Sequence, residues 1–102
     1  MSARYILSPQ AARDLVQIWH YIKKESSKET ADRVESVIRD KCVYLADFPH
    51  AGHLRPDLTS ARVRFLSVYS YLIVYRPETK PLQVAAILHG KRQVSEILAK
   101  RV

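Results

Sequence analysis

The stretch RVRFLSVYSYLIVYR, residues 62–76, decides the fold of this chain. It contains two β-prone runs, 62–68 and 71–76, separated by Tyr69-Ser70, which is short enough for a hairpin turn. A third run, Leu82 to Leu88, is apolar almost throughout, as in a central strand covered on both faces. The sequence therefore predicts three consecutive strands, followed by the cationic block His89-Gly90-Lys91-Arg92.

Two amphipathic helices are predicted before these strands. Residues 4–7 are β-prone, and Ser8 followed by Pro9 suits the start of a helix over about 9–24. Ser26 and Glu29 form a capping-box pattern for a second helix over about 27–46. The short connection makes the two helices an antiparallel hairpin, whose shared apolar face must cover a sheet.

The remaining segments complete a small α+β fold. Residues 47–60 lack periodicity and are interpreted as a loop, and residues 92–100 can form a short last helix. The predicted order is β-α-α-β-β-β plus this helix. In the first helix we expect Leu15, Ile18, Trp19 and Ile22 on the face toward the sheet and Asp14 in solvent.

Length and composition limit the class of protein. The 102 residues are enough for one core, so we expect a single domain over 1–102. No apolar stretch approaches the ~20 residues needed to span a bilayer, and no leader pattern begins the chain, so we expect a cytoplasmic protein with no membrane partner. Cys42 is the only cysteine, which excludes a disulfide framework, and we expect it in the core.

The positive charge is concentrated in the second half. Residues 1–49 hold eight Lys/Arg against seven Asp/Glu, whereas residues 50–102 hold nine against three, so +1 and +6 give the net +7. Such a field favours nucleic acid or an acidic protein segment as partner, although a solubility role is the simpler alternative.

Four cationic or titratable side chains near strand ends are candidates for anion binding: Arg64, Arg76, His89 and Arg92. Guanidinium groups there could clamp a phosphate or carboxylate. Alternatively, Arg64 and Arg76 are solvated or pair with an acidic residue such as Asp47 or Asp57. His89 could transfer a proton near pH 7 or be a hydrogen-bonded structural residue.

Other sequence features give weaker indications of a functional site. His50 and His53 lack neighbouring carboxylates, so we expect no metal site, and with two glycines we expect no nucleotide cradle and no cofactor. Six tyrosines could stack on bases, but their positions favour packing for most of them.

The order and spacing of several segments resemble the ParE branch of the RelE/ParE toxin superfamily over nearly the whole chain. These segments are LSPQAARDL (7–15), IWHYI (18–22), FPHAGHLRPDL (48–58), VR (63–64), YLIVYR (71–76) and LHGKR (88–92). The resemblance implies a RelE/ParE-like α+β fold, in which an antiparallel helix hairpin packs on a mostly antiparallel sheet.

The resemblance also implies the toxin of a bacterial type II toxin–antitoxin pair. The partner would be a cognate acidic antitoxin that folds on binding, and operator DNA would be bound only through the complex. We expect the antitoxin to contact Leu15, Trp19, Ile22, Tyr71 and Tyr75.

Two cellular targets and a third possibility stay open on the sequence. ParE-type toxins poison DNA gyrase, whereas RelE-type toxins cut mRNA on the ribosome with basic residues and a tyrosine or histidine near the chain end. The tail after His89 lacks tyrosine and histidine, which favours a gyrase-binding inhibitor that is not an enzyme. The alternatives are a ribosome-dependent mRNA endonuclease that uses Arg64, Arg76, His89 and Arg92, or an inactive toxin-like binding module.

Overall fold

The structure, a computed structural model, describes residues 4–102 and confirms the predicted order of elements. These elements are β1 (Tyr5–Leu7), α1 (Pro9–Glu25), α2 (Lys28–Asp47), β2 (Arg64–Val68), β3 (Tyr71–Arg76), β4 (Leu82–His89) and α3 (Val94–Ala99). The chain has an α+β fold with a helix hairpin on a four-stranded sheet.

The helix starts depend on serine caps. The Ser8 Oγ accepts the N–H of Ala11 at 3.0 Å, and Pro9 occupies the first turn, as predicted. The cap of α2 is Ser27, whose Oγ accepts the N–H of Thr30 at 3.1 Å. The capping box predicted on Ser26 is therefore wrong by one residue, because Ser26 still ends α1 by donating its N–H to Ile22 O.

The sheet has the strand order β1-β4-β3-β2 and is mostly antiparallel. Only β1 runs parallel to its neighbour, β4, which lies in the centre of the sheet as predicted. Strand β2 begins two residues later than predicted, since the Val63 N–H bonds to Ala61 O within a tight turn. Strand β4 is one residue longer, because His89 pairs with Tyr71.

Both faces of the sheet are covered. The helix hairpin packs on one face over a core that includes Ile73, Tyr75 and Ile87. On the other face, Val94 and Leu98 of α3 pack with Val74 and Leu88 of the sheet, among other residues. The predicted last helix is therefore part of the second core layer.

The loop between α2 and β2 is attached to the sheet. The Tyr75 hydroxyl donates to Pro49 O at 2.7 Å and accepts the N–H of Gly52 at 2.9 Å. His53 exchanges two backbone hydrogen bonds of 2.8 Å with Phe65. A Cβ at Gly52 would lie 2.5 Å from the Tyr75 hydroxyl, so only glycine allows this close approach. In residues 4–102, no helix is long and apolar enough to cross a membrane.

Candidate functional site

The four candidate residues for phosphate chemistry lie at two different ends of the sheet. Arg64 pairs with Tyr75 at the start of β2, and Arg76 is the last residue of β3. His89 pairs with Tyr71, which lies four residues from Tyr75 and five from Arg76 along β3, or roughly 14 and 17 Å. The predicted set of Arg64, Arg76, His89 and Arg92 does not converge on one point.

Register also places Arg64 and Arg76 on opposite faces of the sheet. Arg64 lies on the face of Tyr75, beneath the helix hairpin, and its Nη1 donates to Gly52 O at 2.9 Å. Arg76 alternates with Val74 and shares a shallow hollow with Gln83 and Arg101. Asp47 and Asp57, considered above as partners, pair instead with Arg4 and Arg55. Arg64 therefore helps to hold the loop on the sheet.

His89 and Arg92 border a groove between α1 and the ends of β3 and β4. This groove, named here the His89 groove, has a volume of about 320 Å³. Its lining residues are Asp14, Gln17, Ile18, Tyr21, Tyr71, Ile87, His89 and Arg92. It therefore combines apolar walls with a few polar groups, as ligand-binding grooves do.

The carboxylate of Asp14 is buried at the inner end of the His89 groove. Its Oδ2 accepts the N–H of Ile87 at 3.0 Å and Arg101 Nη1 at 2.6 Å, and its Oδ1 accepts Arg101 Nη2 at 3.0 Å. The bidentate contact with Asp14 raises the pKa of Arg101. The prediction that Asp14 faces solvent is wrong, since the residue is 6% exposed and joins α1, β4 and the chain end.

The aromatic rings of the groove are partly fixed by their neighbours. Tyr71 and His89 make an edge-to-face contact with centroids 5.5 Å apart. Burial, and then the nearby Tyr21 phenol, raise the pKa of Tyr71. His89 Nδ1 accepts the Lys91 N–H at 3.1 Å, which leaves Nε2 as the nitrogen that carries the imidazole proton.

The residues expected to contact an antitoxin differ in accessibility. Leu15 and Tyr75 are 2% and 0% exposed, so these two cannot contact a partner on the surface of this fold. Trp19 is half-buried, and its Nε1–H donates to Asp32 at 2.8 Å, which joins the two helices. This hydrogen bond, together with the one from Lys28, lowers the pKa of Asp32. Only Trp19, Ile22 and Tyr71 of the predicted set reach the surface, where they are half-buried.

Sequence reasoning missed Asp14, Tyr21 and Arg101. Asp14 follows Ala11 by three residues and precedes Ile18 by four, so helical spacing already places it on the buried face. Tyr21 is 61% exposed at the groove rim, where the sequence favours packing for most tyrosines. Arg101 lies 87 residues from Asp14, and no local pattern connects them.

The described part of the chain shows no group of three or more metal-binding side chains. His50 and His53 are both exposed on the loop. Cys42 is fully buried in the helix-side core, as expected, and burial raises the pKa of its thiol to about 12.

Comparison with known proteins agrees with the resemblance found in the sequence. The profile described as ParE toxin of type II toxin-antitoxin system, parDE, matches residues 5–94. A solved structure entitled "Chromosomal ParDE TA system from P. aeruginosa" matches with a TM-score of 0.70 and 22% identity, over 83% of this chain and 92% of that chain. At this identity the structural likeness establishes the fold alone. A search of curated proteins found no match.

Proposed function

We propose that this chain, which belongs to the ParE toxin family of type II toxin–antitoxin systems, inhibits DNA gyrase by binding to it and so blocks replication. A cognate acidic antitoxin neutralises the toxin, and operator DNA is contacted through the antitoxin complex. Gyrase as target places the toxin in the bacterial cytoplasm.

The observation that carries the proposal is the separation of Arg64 and Arg76 from His89 and Arg92. Phosphodiester cleavage requires a proton-transfer group and stabilising cations within hydrogen-bond reach, about 3 Å, of one phosphate. Groups that lie roughly 14 to 17 Å apart along a strand cannot share a phosphate. The arrangement therefore supports inhibition by binding over cleavage by the four-residue set.

An acidic antitoxin suits the charge and the surface of this toxin. The net charge is +7, and complementary charge accelerates encounter with an anionic chain that folds on binding. Half-buried Trp19, Ile22 and Tyr71 offer apolar area to its side chains. The buried Leu15 and Tyr75 belong to the core against which Ile22 and Tyr71 pack.

A supercoiling assay tests the proposed target. Purified toxin is titrated into gyrase with relaxed plasmid, and loss of supercoiling that the antitoxin reverses is the expected result. Because a basic protein can coat DNA, relaxation of the supercoiled form of this plasmid by topoisomerase I is the control and should be unaffected. Full supercoiling at high toxin excess would refute gyrase as the target.

A RelE-type mRNA endonuclease is the second candidate, favoured by the presence of Tyr71, His89 and Arg92 in one groove. Pulse-labelling after induced expression separates the two functions, since gyrase inhibition stops DNA synthesis first and mRNA cleavage stops protein synthesis first. For an endonuclease, His89→Ala abolishes cleavage on ribosomes. Unchanged growth with soluble toxin would indicate an inactive binding module.

A further inference from the structure

We propose that the His89 groove binds an unpaired nucleotide of a single-stranded nucleic acid, with the base stacked on Tyr21 and Tyr71 and the phosphate held by Arg92. This inference goes beyond gyrase inhibition, because it concerns the affinity of the toxin itself for a strand. It requires neither gyrase nor a cleavage step.

The dimensions and walls of the groove suit one nucleotide. Its volume, about 320 Å³, lies at the lower end of the range for small-ligand sites. Tyr21 comes from α1 and Tyr71 from β3, so aromatic surface is presented from two rigid elements. The edge-to-face contact with His89 orients the Tyr71 ring before a ligand arrives.

The electrostatics of the groove favour an anion. Asp14 is the one carboxylate among the described lining residues, and its two oxygens already accept three hydrogen bonds. Arg101, which is not a lining residue of the groove, neutralises that charge through its two contacts with Asp14. Arg92 is exposed at the rim, and the Nε2–H of His89 is available as a second donor to a phosphate oxygen.

Within the His89 groove, the ratio of aromatic to cationic groups favours a nucleotide over an acidic peptide, while Trp19 and Ile22 of the proposed antitoxin surface are not among the lining residues. An acidic helix would need a row of cations along the groove, whereas two tyrosines beside one guanidinium match the way in which proteins hold single strands. A third tyrosine, Tyr69, is exposed in the neighbouring hairpin turn with φ 54°, an uncommon conformation for a bulky side chain. This turn is tied to the groove, since Gly90 N–H donates to Ser70 O at 2.8 Å.

Fluorescence anisotropy with short labelled oligothymidylate, oligouridylate and duplex DNA of equal length tests the proposal on the full chain. We expect both single strands, or one of them, to bind more tightly than the duplex. Tyr21→Ala should weaken binding roughly tenfold, because stacking is lost. Its matched control is Tyr44→Ala, an exposed helical tyrosine outside the groove, which should bind as the parent does.

The cation is tested through salt dependence. Arg92→Gln should lower the slope of log affinity against log salt by about 0.7, the value of one phosphate contact on a single strand. Arg33→Gln, at an exposed position of α2, should leave the slope unchanged. The same charge is removed in both variants, so only position distinguishes them.

Three results would overturn the assignment. These are an affinity for duplex DNA equal to that for the single strands, an equal loss of affinity in Tyr21→Ala and Tyr44→Ala, or competition by polyglutamate as strong as that by unlabelled oligonucleotide. Preference for thymidylate or uridylate identifies the strand as DNA or RNA. Since gyrase is absent from this assay, its failure leaves the supercoiling result standing, and the reverse also holds.

Discussion

Replacing Arg101 by glutamine should destabilise the fold more than replacing its partner Asp14 by asparagine. Arg101→Gln leaves a carboxylate whose side chain is 7% exposed, with the Ile87 N–H as its remaining donor. Removing one member of a buried pair costs about 3–5 kcal/mol. Because Arg101 is itself 16% exposed, water can reach the vacated site, and we expect the lower end of that range.

Asp14→Asn leaves a neutral group in the same position. The amide oxygen can still accept the Ile87 N–H, and Arg101, whose side chain is already 16% exposed, can turn its guanidinium into water. The expected loss is about 1–2 kcal/mol, for the charge-assisted hydrogen bonds that disappear.

For Arg101→Gln, a loss of about 3 kcal/mol at about 4–8 °C per kcal/mol should lower Tm by roughly 12–24 °C.

Urea denaturation, followed by far-ultraviolet circular dichroism, measures both variants and the double variant. The double variant has no buried charge and should be more stable than Arg101→Gln alone. If Arg101→Gln costs under about 0.5 kcal/mol, or less than Asp14→Asn, the reasoning that a stranded carboxylate dominates is refuted.

Three further predictions concern the cores. Gly52→Ala should cost about 1–3 kcal/mol in urea denaturation, because its Cβ meets Tyr75 and Phe65, whereas Gly90→Ala, with its nearest neighbour at 3.5 Å, should change stability by under about 0.5 kcal/mol. Tyr75→Phe leaves Pro49 O and Gly52 N–H without partners, so we expect a loss of about 1–3 kcal/mol and faster amide exchange at Gly52; unchanged exchange would contradict this role. Burial raises the pKa of Cys42 in the folded state to about 12. The contribution of the protonated thiol to the stability of the fold is therefore complete below pH 9.0 and is lost as pH rises toward about 12. Stability of the parent should therefore fall more steeply there than that of Cys42→Ala, by up to about 1.4 kcal/mol per pH unit, and equal slopes would contradict the burial of the thiol.

The elements of this fold could be predicted because their signals are local. Ser8 with Pro9 marks a helix start within two residues, and alternation over 71–76 indicates a strand. The position of β4 in the sheet follows from its apolar composition alone. The sequence cannot fix the cap of α2, because Ser26 and Ser27 carry the same hydroxyl group and only the position at which α1 ends distinguishes them.

The candidate site was predicted less well, because it depends on register and on contacts between distant residues. Alternation shows that Arg64 and Arg76 each share a face with apolar neighbours, but it cannot show that these are opposite faces of one sheet. That follows only from the pairing of Arg64 with Tyr75. The same pairing buries Tyr75 beneath the loop, which removes it from the predicted antitoxin surface.

The pair formed by Asp14 and Arg101 connects the stability of the fold with the charge of the His89 groove. Asp14 lines the groove, whereas Arg101, which binds both Asp14 oxygens, is not among the lining residues. Without Arg101, a bare carboxylate would lie in the groove beside Arg92 and would repel an anion there. Because Arg101 stands outside the groove, any effect of Arg101→Gln on strand binding must be transmitted through Asp14. The loss should therefore disappear in the double variant, in which asparagine replaces that carboxylate, even though both guanidinium contacts are gone.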